Sequence, residues 1–520
     1  MKTLTTITIV SIYFSVLLSA SESAKILSLF PAPSYSHVII GETLSEELAR
    51  RGHQVTLITA YEPKKTIKNL NDIKLNGFKE QFDEEMKDFN FFDYLNINEF
   101  ISTLTTYSFG YTMTKNFYEH ERIQKIMKFN EKFDLIIVEH FFNEAVYGLC
   151  YHLKVPCVAV SAVATMIWSN RLTGNVGLAS YVPQMTTTYS PKMTFFQRMH
   201  NLALYVYEEI VYHTFYIPKH NAIVQEHIPN APHIYNLITN VSLLLVNSHP
   251  ALGSPQIITP NVKEVGGIHV EGLKNVTLPD DIQKFLDNNK EVIYFALGSN
   301  AQSKDIPKET LNEIINGLKK WGKPVLWKFE DELPEKLDNV KIAKWFPQTA
   351  VLAHKNVVGF ITHCGRLSSL ESLYYGVPMI AIPLFAEQAH NAAEMVHYGF
   401  AVPVEFKTLK AEKLYKALVE ITSNTKYTKE AQMRSKAIRK RNGMDEAVYW
   451  IEHVLEFKGA SYLKNAGVDL PWYQFWMVDV VAVLIVSFLG INAFGAYLIL
   501  KSLSHWGQYN SSQSRVIDIC

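Results

Sequence analysis

The chemistry this chain can do begins with a histidine, His37, a carboxylate about a hundred residues on, Glu139, and a dense polar and aromatic run from Trp345 to Gln388. His37 opens an amphipathic stretch, His37–Arg51, after the apolar strand Ile26–Phe30 and a loop, Pro31–Ser36. Gly52 closes the helix and Gln54–Thr59 reads as the next strand, a βαβ opening. His37 therefore sits at the carboxyl end of the first strand, where open α/β sheets place their ligands. The positive end of a helix disfavours imidazolium, and a neutral imidazole in a cleft is a competent general base. Position alone leaves His37 equally suited to be a surface residue filling the first turn. Glu139 follows a buried strand, Leu135–Val138, and so also lies at a strand's carboxyl end. His140 and Glu144 have the spacing of a metal pair, but with no HExxH and no further clustered ligands no metal site is expected.

In the second run, Val357–Thr362 is a strand that stops at a tight turn, His363-Cys364-Gly365. A helix over about Arg366–Tyr375 follows, ended by Gly376, then a strand, Met379–Leu384, and the polar pair Glu387-Gln388. This unit aims backbone N–H groups at whatever sits above Gly365. A helix N-terminus favours an anion by roughly 0.3–1 kcal/mol, so a phosphate-bearing ligand is expected. Trp345 offers a flat face for a base, and Glu371, one turn past Ser368, can reach a sugar hydroxyl. Each residue also has a plain structural use: Ser368-x-x-Glu371 matches a capping box, Gly365 a turn glycine, Trp345 a core aromatic.

Taken together, Trp345, Gln348, His363, Gly365, Ser368, Glu371, Pro378, Pro383, Glu387 and Gln388 fall in register with the signature of UDP-glycosyltransferases. The chain resembles the membrane-bound animal type of that family, the insect branch best. The resemblance implies an α/β GT-B fold: two Rossmann-like domains facing across a cleft, acceptor in the first, UDP-sugar in the second, plus a C-terminal transmembrane helix. It implies that Trp345 stacks on uracil with Gln348 near its edge. His363, the backbone at Gly365, the Ser368 hydroxyl and Ser299 would hold the diphosphate. Glu371 would bind the ribose, and Glu387 and Gln388 the transferred sugar. Pro33-Ser34-Tyr35-Ser36-His37 matches the family's catalytic histidine motif, and a carboxylate at the place of Glu139 orients that histidine. This chain departs from the usual pattern in having Glu rather than Asp there, with Glu144 as a rival, and Cys364 where most animal members have glycine. The implied reaction is inverting transfer of a hexose, glucose foremost, from a UDP-sugar to a hydroxyl of a small lipophilic acceptor. No metal and no tightly bound cofactor are expected. UDP-glucuronate as donor, a catalytically silent UDP-sugar-binding subunit and a glycan-building transferase are the alternatives.

Composition frames these motifs. The 520 residues carry 50 acidic and 50 basic side chains, a net charge of zero that gives no footing for nucleic acid. Absence of G-x-G-x-x-G counts against a nicotinamide dehydrogenase. Four cysteines make no disulfide framework, and the close pair Cys150 and Cys157 is expected as two unpaired buried thiols. Residues Met1 to about Ala24 read as a secretory leader: Lys2, then apolar Ile7–Leu18, then small residues. Residues 25–248 form the expected first domain and a proline- and glycine-rich stretch, 249–289, the linker. Residues 290–463 form the second domain, its last helix, Glu446–Glu456, packing back on the first. Strands alternating with helices imply parallel sheets. Residues 464–479 are juxtamembrane. Residues 480–500 carry no charge over a length that crosses about 30 Å of hydrocarbon, with Trp472, Tyr473 and Trp476 ahead as an aromatic belt. The leader sets the catalytic part lumenal and 501–520 cytosolic, a single-pass type I arrangement. The resemblance implies residence in the endoplasmic reticulum membrane, though the tail has no dilysine. Asn240 and Asn275 head glycosylation acceptors if lumenal. About Ser190–Ile217 is helical in period and aromatic (Phe195, Phe196, Met199, Leu202, Leu204, Tyr205, Tyr207). Such a stretch can rest on a membrane or cover the acceptor pocket, with core packing the expectation for most of it. Residues 63–129 carry few clean signals, and acceptor identity and oligomeric state, homo- or hetero-, lie beyond the sequence.

Overall fold

The computed structural model describes residues 23–517, apart from 88, 89, 130 and 275. The leader, save its last two residues, and the acceptor Asn275 therefore lie outside the described residues, while Asn240 is exposed.

Two wholly parallel sheets organise the chain, because its strands are apolar runs that must be covered on both faces. β1 (Lys25–Phe30), α1 (Tyr35–Arg50), β2 (Gln54–Thr59), β3 (Leu70–Lys74), α2 (Glu99–Glu119), β4 (Leu135–Glu139), β5 (Cys157–Ser161), α3 (Phe195–Val211), β6 (Leu243–Val246) and β7 (Val262–Glu264) belong to the first sheet and its cover. The strand order is β3-β2-β1-β4-β5-β6-β7. The second sheet is built from β8 (Val292–Ala296), α4 (Lys308–Trp321), β9 (Val325–Lys328), β10 (Val340–Ala343), β11 (Val357–Thr362), α5 (Arg366–Tyr374), β12 (Met379–Ala381), α6 (Gln388–His397) and β13 (Ala401–Pro403), in the order β10-β9-β8-β11-β12-β13. All five residues of β4 and of β8 are buried.

In each sheet the order reverses once, between β1 and β4 and between β8 and β11. Connections leave these neighbouring strands toward opposite sides, which opens a crevice at their carboxyl ends. The register Leu29↔Val138 brings the ends of β1 and β4 side by side. Thr362↔Ala296 does the same for β11 and β8. Both crevices collect the site residues.

α7 (Gly443–Glu456) packs Met444, Val448, Ile451 and Val454 into one core with Ile39, Leu44 and Leu48 of α1 and Leu243 and Leu245 of β6. The chain thus returns to the first sheet after completing the second. α8 (Val478–Ile517) contains 30 residues, Val478–Gly507, long and apolar enough to cross a membrane.

Several expectations are corrected. Cys150 and Cys157 form a disulfide. The helix Gly148–Leu153 ends and the chain turns straight back into β5, leaving the two Cα atoms 6.0 Å apart, within bridging reach. Only Cys364 is a free cysteine among the described residues, and it is buried. The stretch read as a linker, 249–289, contains β7, paired to β6 as the seventh strand of the first sheet, and helices Ile268–Gly272 and Asp280–Asn288. Residues 63–129 hold β3, α2 and further helices. Core packing describes only part of the aromatic stretch: Phe195, Phe196, Met199 and Leu202 are exposed and Tyr205 and Tyr207 half-buried, whereas Leu204, Tyr212, Tyr216 and Ile217 are buried. Elsewhere in the two sheets and their covering helices the element bounds move by no more than three residues; the strand expected to Leu384 stops at Ala381 and the helix expected to Tyr375 at Tyr374.

Candidate active site

His37 is the third residue of α1, its backbone N–H bonded to the Ser34 carbonyl at 3.0 Å. Its imidazole Nδ1 lies 2.6 Å from Oε1 of Glu139, the last residue of β4. The other oxygen of Glu139 accepts the Ala32 N–H at 3.1 Å, so one buried carboxylate ties the end of β1 to the end of β4. An acceptor at this distance holds the proton on Nδ1 and leaves Nε2 as the basic nitrogen. Phe141 packs against the ring, centroid to centroid 4.3 Å. Glu144 takes no part: its carboxyl accepts from the Tyr216 hydroxyl in the core, where burial pushes it up to about 7.

Across the cleft, the turn after β8 meets the turn after β11. Gly298 has φ +89°, and a Cβ built there would stand 2.6 Å from Nε2 of His363; one on Gly365 would stand 2.5 Å away. Two glycines thus clamp the imidazole, and neither place accepts a side chain without moving it. Burial, and then the charge of Lys328, lower His363 to about 4, so the ring is neutral at pH 7. Its Nδ1 is buried with no hydrogen-bond partner among the described residues. Behind Gly365, α5 begins with its N-terminus at this point.

Gln348 Nε2 donates to Ser368 Oγ at 3.0 Å and to Glu371 Oε2 at 2.5 Å. The second carboxylate oxygen of Glu371 lies 3.4 Å from Nε2 of the buried His269. Trp345 is 57% exposed, with Tyr35 edge-on to it at 5.6 Å. All of these but the buried His269 line a cavity of about 330 Å³ between the two sheets. Tyr35, Ser36 and Lys64 line one side; Ser299, Lys328, Trp345, Gln348, Ser368 and Glu371 line the other. Ser34 and Asn300 share a hydrogen bond of 3.2 Å across the mouth.

The structure therefore gathers Ser299, Trp345, Gln348, Ser368 and Glu371 around one cavity, with His363 and Gly365 against its Gly298 wall. Glu387 and Gln388 are outside that lining, at the start of α6. The Gln388 amide oxygen accepts the Leu384 and Phe385 N–H groups at 3.0 and 3.1 Å, fixing the loop that carries Glu387. Burial raises the Glu387 carboxyl above the ordinary carboxylate range, opposed by its backbone hydrogen bond and by the charges of His37 and Arg366. Lys328 escaped the sequence reading. Its Nζ donates to the Gly298 carbonyl at 2.9 Å and to Glu330 at 2.6 Å, and lies 5.6 Å from the Trp345 ring centre. A lysine ending an otherwise apolar buried strand, Val325–Lys328, was the available signal.

Two parallel α/β sheets facing across such a cleft define the GT-B glycosyltransferase class. Solved structures agree on the fold. One is similar with a TM-score of 0.57 at 18% identity, covering 84% of this chain and all of that chain: the crystal structure of TcCGT1 in complex with UDP. Another, of Phytolacca americana UGT2 complexed with UDP-2fluoro-glucose and pterostilbene, has a TM-score of 0.54 at 18% identity over 84% of this chain and 100% of that one. The family model for UDP-glucoronosyl and UDP-glucosyl transferase matches residues 24–506, and the chain belongs to that family. It is 32% identical to UDP-glucosyltransferase 2 of Dactylopius coccus, over 96% of this chain and 97% of that protein. It is 30% identical to UDP-glucuronosyltransferase 2B15 of Rattus norvegicus, over 87% and 88%. The protein is a UDP-glycosyltransferase, and both glucosyl and glucuronosyl transferases are among its relatives.

Proposed function

We propose that the protein transfers glucose from UDP-glucose, with inversion, to a hydroxyl of a small lipophilic acceptor, in the endoplasmic reticulum membrane with its catalytic part lumenal. The observation that carries the mechanism is the 2.6 Å contact of His37 Nδ1 with Glu139. His37 Nε2 takes the acceptor's hydroxyl proton as the oxygen attacks the anomeric carbon. The C–O bond to UDP breaks, and Glu139 stabilises the imidazolium that forms. Charge growing on the departing diphosphate meets the N-terminus of α5, the backbone at Gly365, Ser299 and Ser368, with Lys328 adding a fixed positive charge nearby. Trp345 stacks on uracil, with Gln348 at its edge and on the Glu371 carboxylate, which takes the ribose hydroxyls. Glu387 and Gln388 hold the sugar. Glucose is preferred over glucuronate because the Dactylopius coccus relative is named a glucosyltransferase and covers nearly the whole chain. Residues 25–248 serve as the acceptor domain and 290–463 as the donor domain.

The test is UDP release by membranes bearing the protein, with UDP-glucose and UDP-glucuronate in parallel over a panel of phenols. General-base catalysis is worth roughly 10²–10⁴-fold, so His37→Ala loses about that much turnover while UDP still binds. Near-normal turnover in the variant refutes the base assignment; UDP binding without turnover on any acceptor by the unaltered protein supports a silent binding subunit instead.

A further inference from the structure

The chain between β3 and α2 leaves its own sheet. Phe92 is buried as part of the second sheet's core, with Trp327 of β9, Ile361 of β11, Ile380 of β12 and Phe406. Its ring stacks on that of Phe406, centres 5.1 Å apart. The Asn90 side chain accepts the Phe92 N–H at 2.9 Å and fixes the entry. A 3₁₀ turn, Asp93–Asn96, carries the chain out again. There the Tyr94 hydroxyl donates to the Ser102 carbonyl at 3.2 Å, and the Asn98 side chain caps α2 by accepting the Ile101 N–H at 2.9 Å. Residues 90–98 are thus a strap that starts and ends on the first sheet's side and is pinned at its middle in the core of the second.

Beside that anchor, Phe91 meets the loop between β12 and α6. Its ring centre is 4.5 Å from that of Phe385, a favourable aromatic separation. Phe385 precedes Ala386, whose φ of +53° is left-handed. A residue with a Cβ stays in that conformation only where its surroundings hold it there. On one side Gln388 supplies part of the hold, through the Leu384 and Phe385 N–H groups. On the other the loop opens onto a cavity of about 760 Å³ lined by Leu95, Asn98, Pro383, Phe385 and Ala386, so a packed core does not back it. Phe91 reaches Phe385 on this less supported part of the loop, and the residue after Ala386 is Glu387. We propose that Phe91 is a positioning residue for the transferred sugar: by bracing Phe385 it keeps Ala386 left-handed and Glu387 presented to the donor. A strap from the first sheet's side then sets how the second sheet's loop grips the sugar. This rests on the reading that Glu387 and Gln388 hold the sugar.

The experiment uses the full-length protein in detergent, titrated calorimetrically with UDP and assayed for initial-rate UDP release over a range of UDP-glucose at a saturating phenol. Phe91→Ala should leave UDP affinity within about twofold of the parent while raising the donor KM at least about tenfold, the worth of one hydrogen bond to a charged group. Glu387→Gln should do the same. The double variant should be no more than about twofold worse than the worse single one, because both substitutions remove one function. Phe91→Leu keeps apolar bulk against Phe385 and should bring the donor KM back to within about threefold of the parent. An unaltered donor KM in Phe91→Ala overturns the proposal, as does full multiplication of the two single effects. A loss of UDP affinity as large as the rise in KM also overturns it, since that marks a general loosening of the two sheets. The reading beneath is tested apart: no turnover of UDP-glucose by the parent, or a Glu387→Gln variant with the parent's donor KM and kcat, removes the sugar assignment and the proposal with it.

Discussion

Replacing Glu139 by glutamine tests the catalytic pair without changing its shape. The carboxylate now accepts two N–H groups, Ala32 at 3.1 Å and His37 Nδ1 at 2.6 Å. A glutamine has one acceptor oxygen, so whichever way it turns, its NH₂ faces one of those donors. In the ground state the neutral imidazole loses about one ordinary hydrogen bond, roughly 1 kcal/mol. In the transition state an imidazolium loses its counter-charge at contact distance, roughly 4 kcal/mol at an effective dielectric of 20. The difference, about 2–3 kcal/mol, predicts a fall in kcat of about 30- to 150-fold. UDP affinity, set on the other side of the cleft, should change by less than about twofold. The assay is initial-rate UDP release at saturating donor and acceptor, paired with calorimetric titration of UDP. Turnover within about threefold of the parent, or a parallel loss of UDP binding, refutes the reasoning. Glu139→Asp keeps the charge but is one methylene short of reaching both donors, so its loss should be the smaller.

Three further outcomes follow from particular contacts. Gly298→Ala places a Cβ 2.6 Å from His363 at a φ of +89°, and should cost about 1–3 kcal/mol of stability and at least tenfold in UDP affinity; thermal melting and UDP titration read both, and affinity within twofold contradicts the clamp. Glu144 is raised to about 7, so folding holds its proton more tightly than the unfolded chain; its contribution is intact below about pH 4.5 and is lost as pH rises through 7. Glu144→Gln should accordingly raise the melting temperature at pH 8, by up to about 3 kcal/mol of stability, and leave it unchanged at pH 4.5; equal gains at both values argue against a buried, protonated carboxyl. Replacing Cys150 and Cys157 together by alanine removes a bridge closing a short loop, sequence separation 7, and should cost about 2 kcal/mol; a melting temperature indistinguishable from that of the oxidised protein would show the bridge to be without weight.

The sheet centres were legible because β1, β2, β4, β8 and β11 are apolar runs ended by turns. The edges were not: β3 reads LNDIK and β7 VKE, and only pairing with a neighbour makes such segments strands. Sequence placed His37 and Glu139 each at a strand's end, but their contact depends on β1 and β4 being neighbours in register, which no local pattern encodes. Lys328 was missed for the same reason, since its relation to Gly298 comes from β9 lying beside β8. The aromatic period of α3 was visible, yet period does not tell which side faces inward. Buried partners for Asn201 and Glu208 decided that, and they come from segments elsewhere in the chain.

The short connection Ala466–Met477 has a kinetic meaning. With α8 in a bilayer, a unit tethered to it by twelve residues, at most about 43 Å of chain, would not search the whole aqueous volume for an acceptor that dissolves in lipid. It samples a thin shell in which such a compound is concentrated by its own partitioning, so the encounter becomes nearly two-dimensional. For an acceptor of that kind, the apparent KM measured against total added compound should rise as inert lipid is added, because dilution in the membrane, not in the buffer, sets the concentration the enzyme meets.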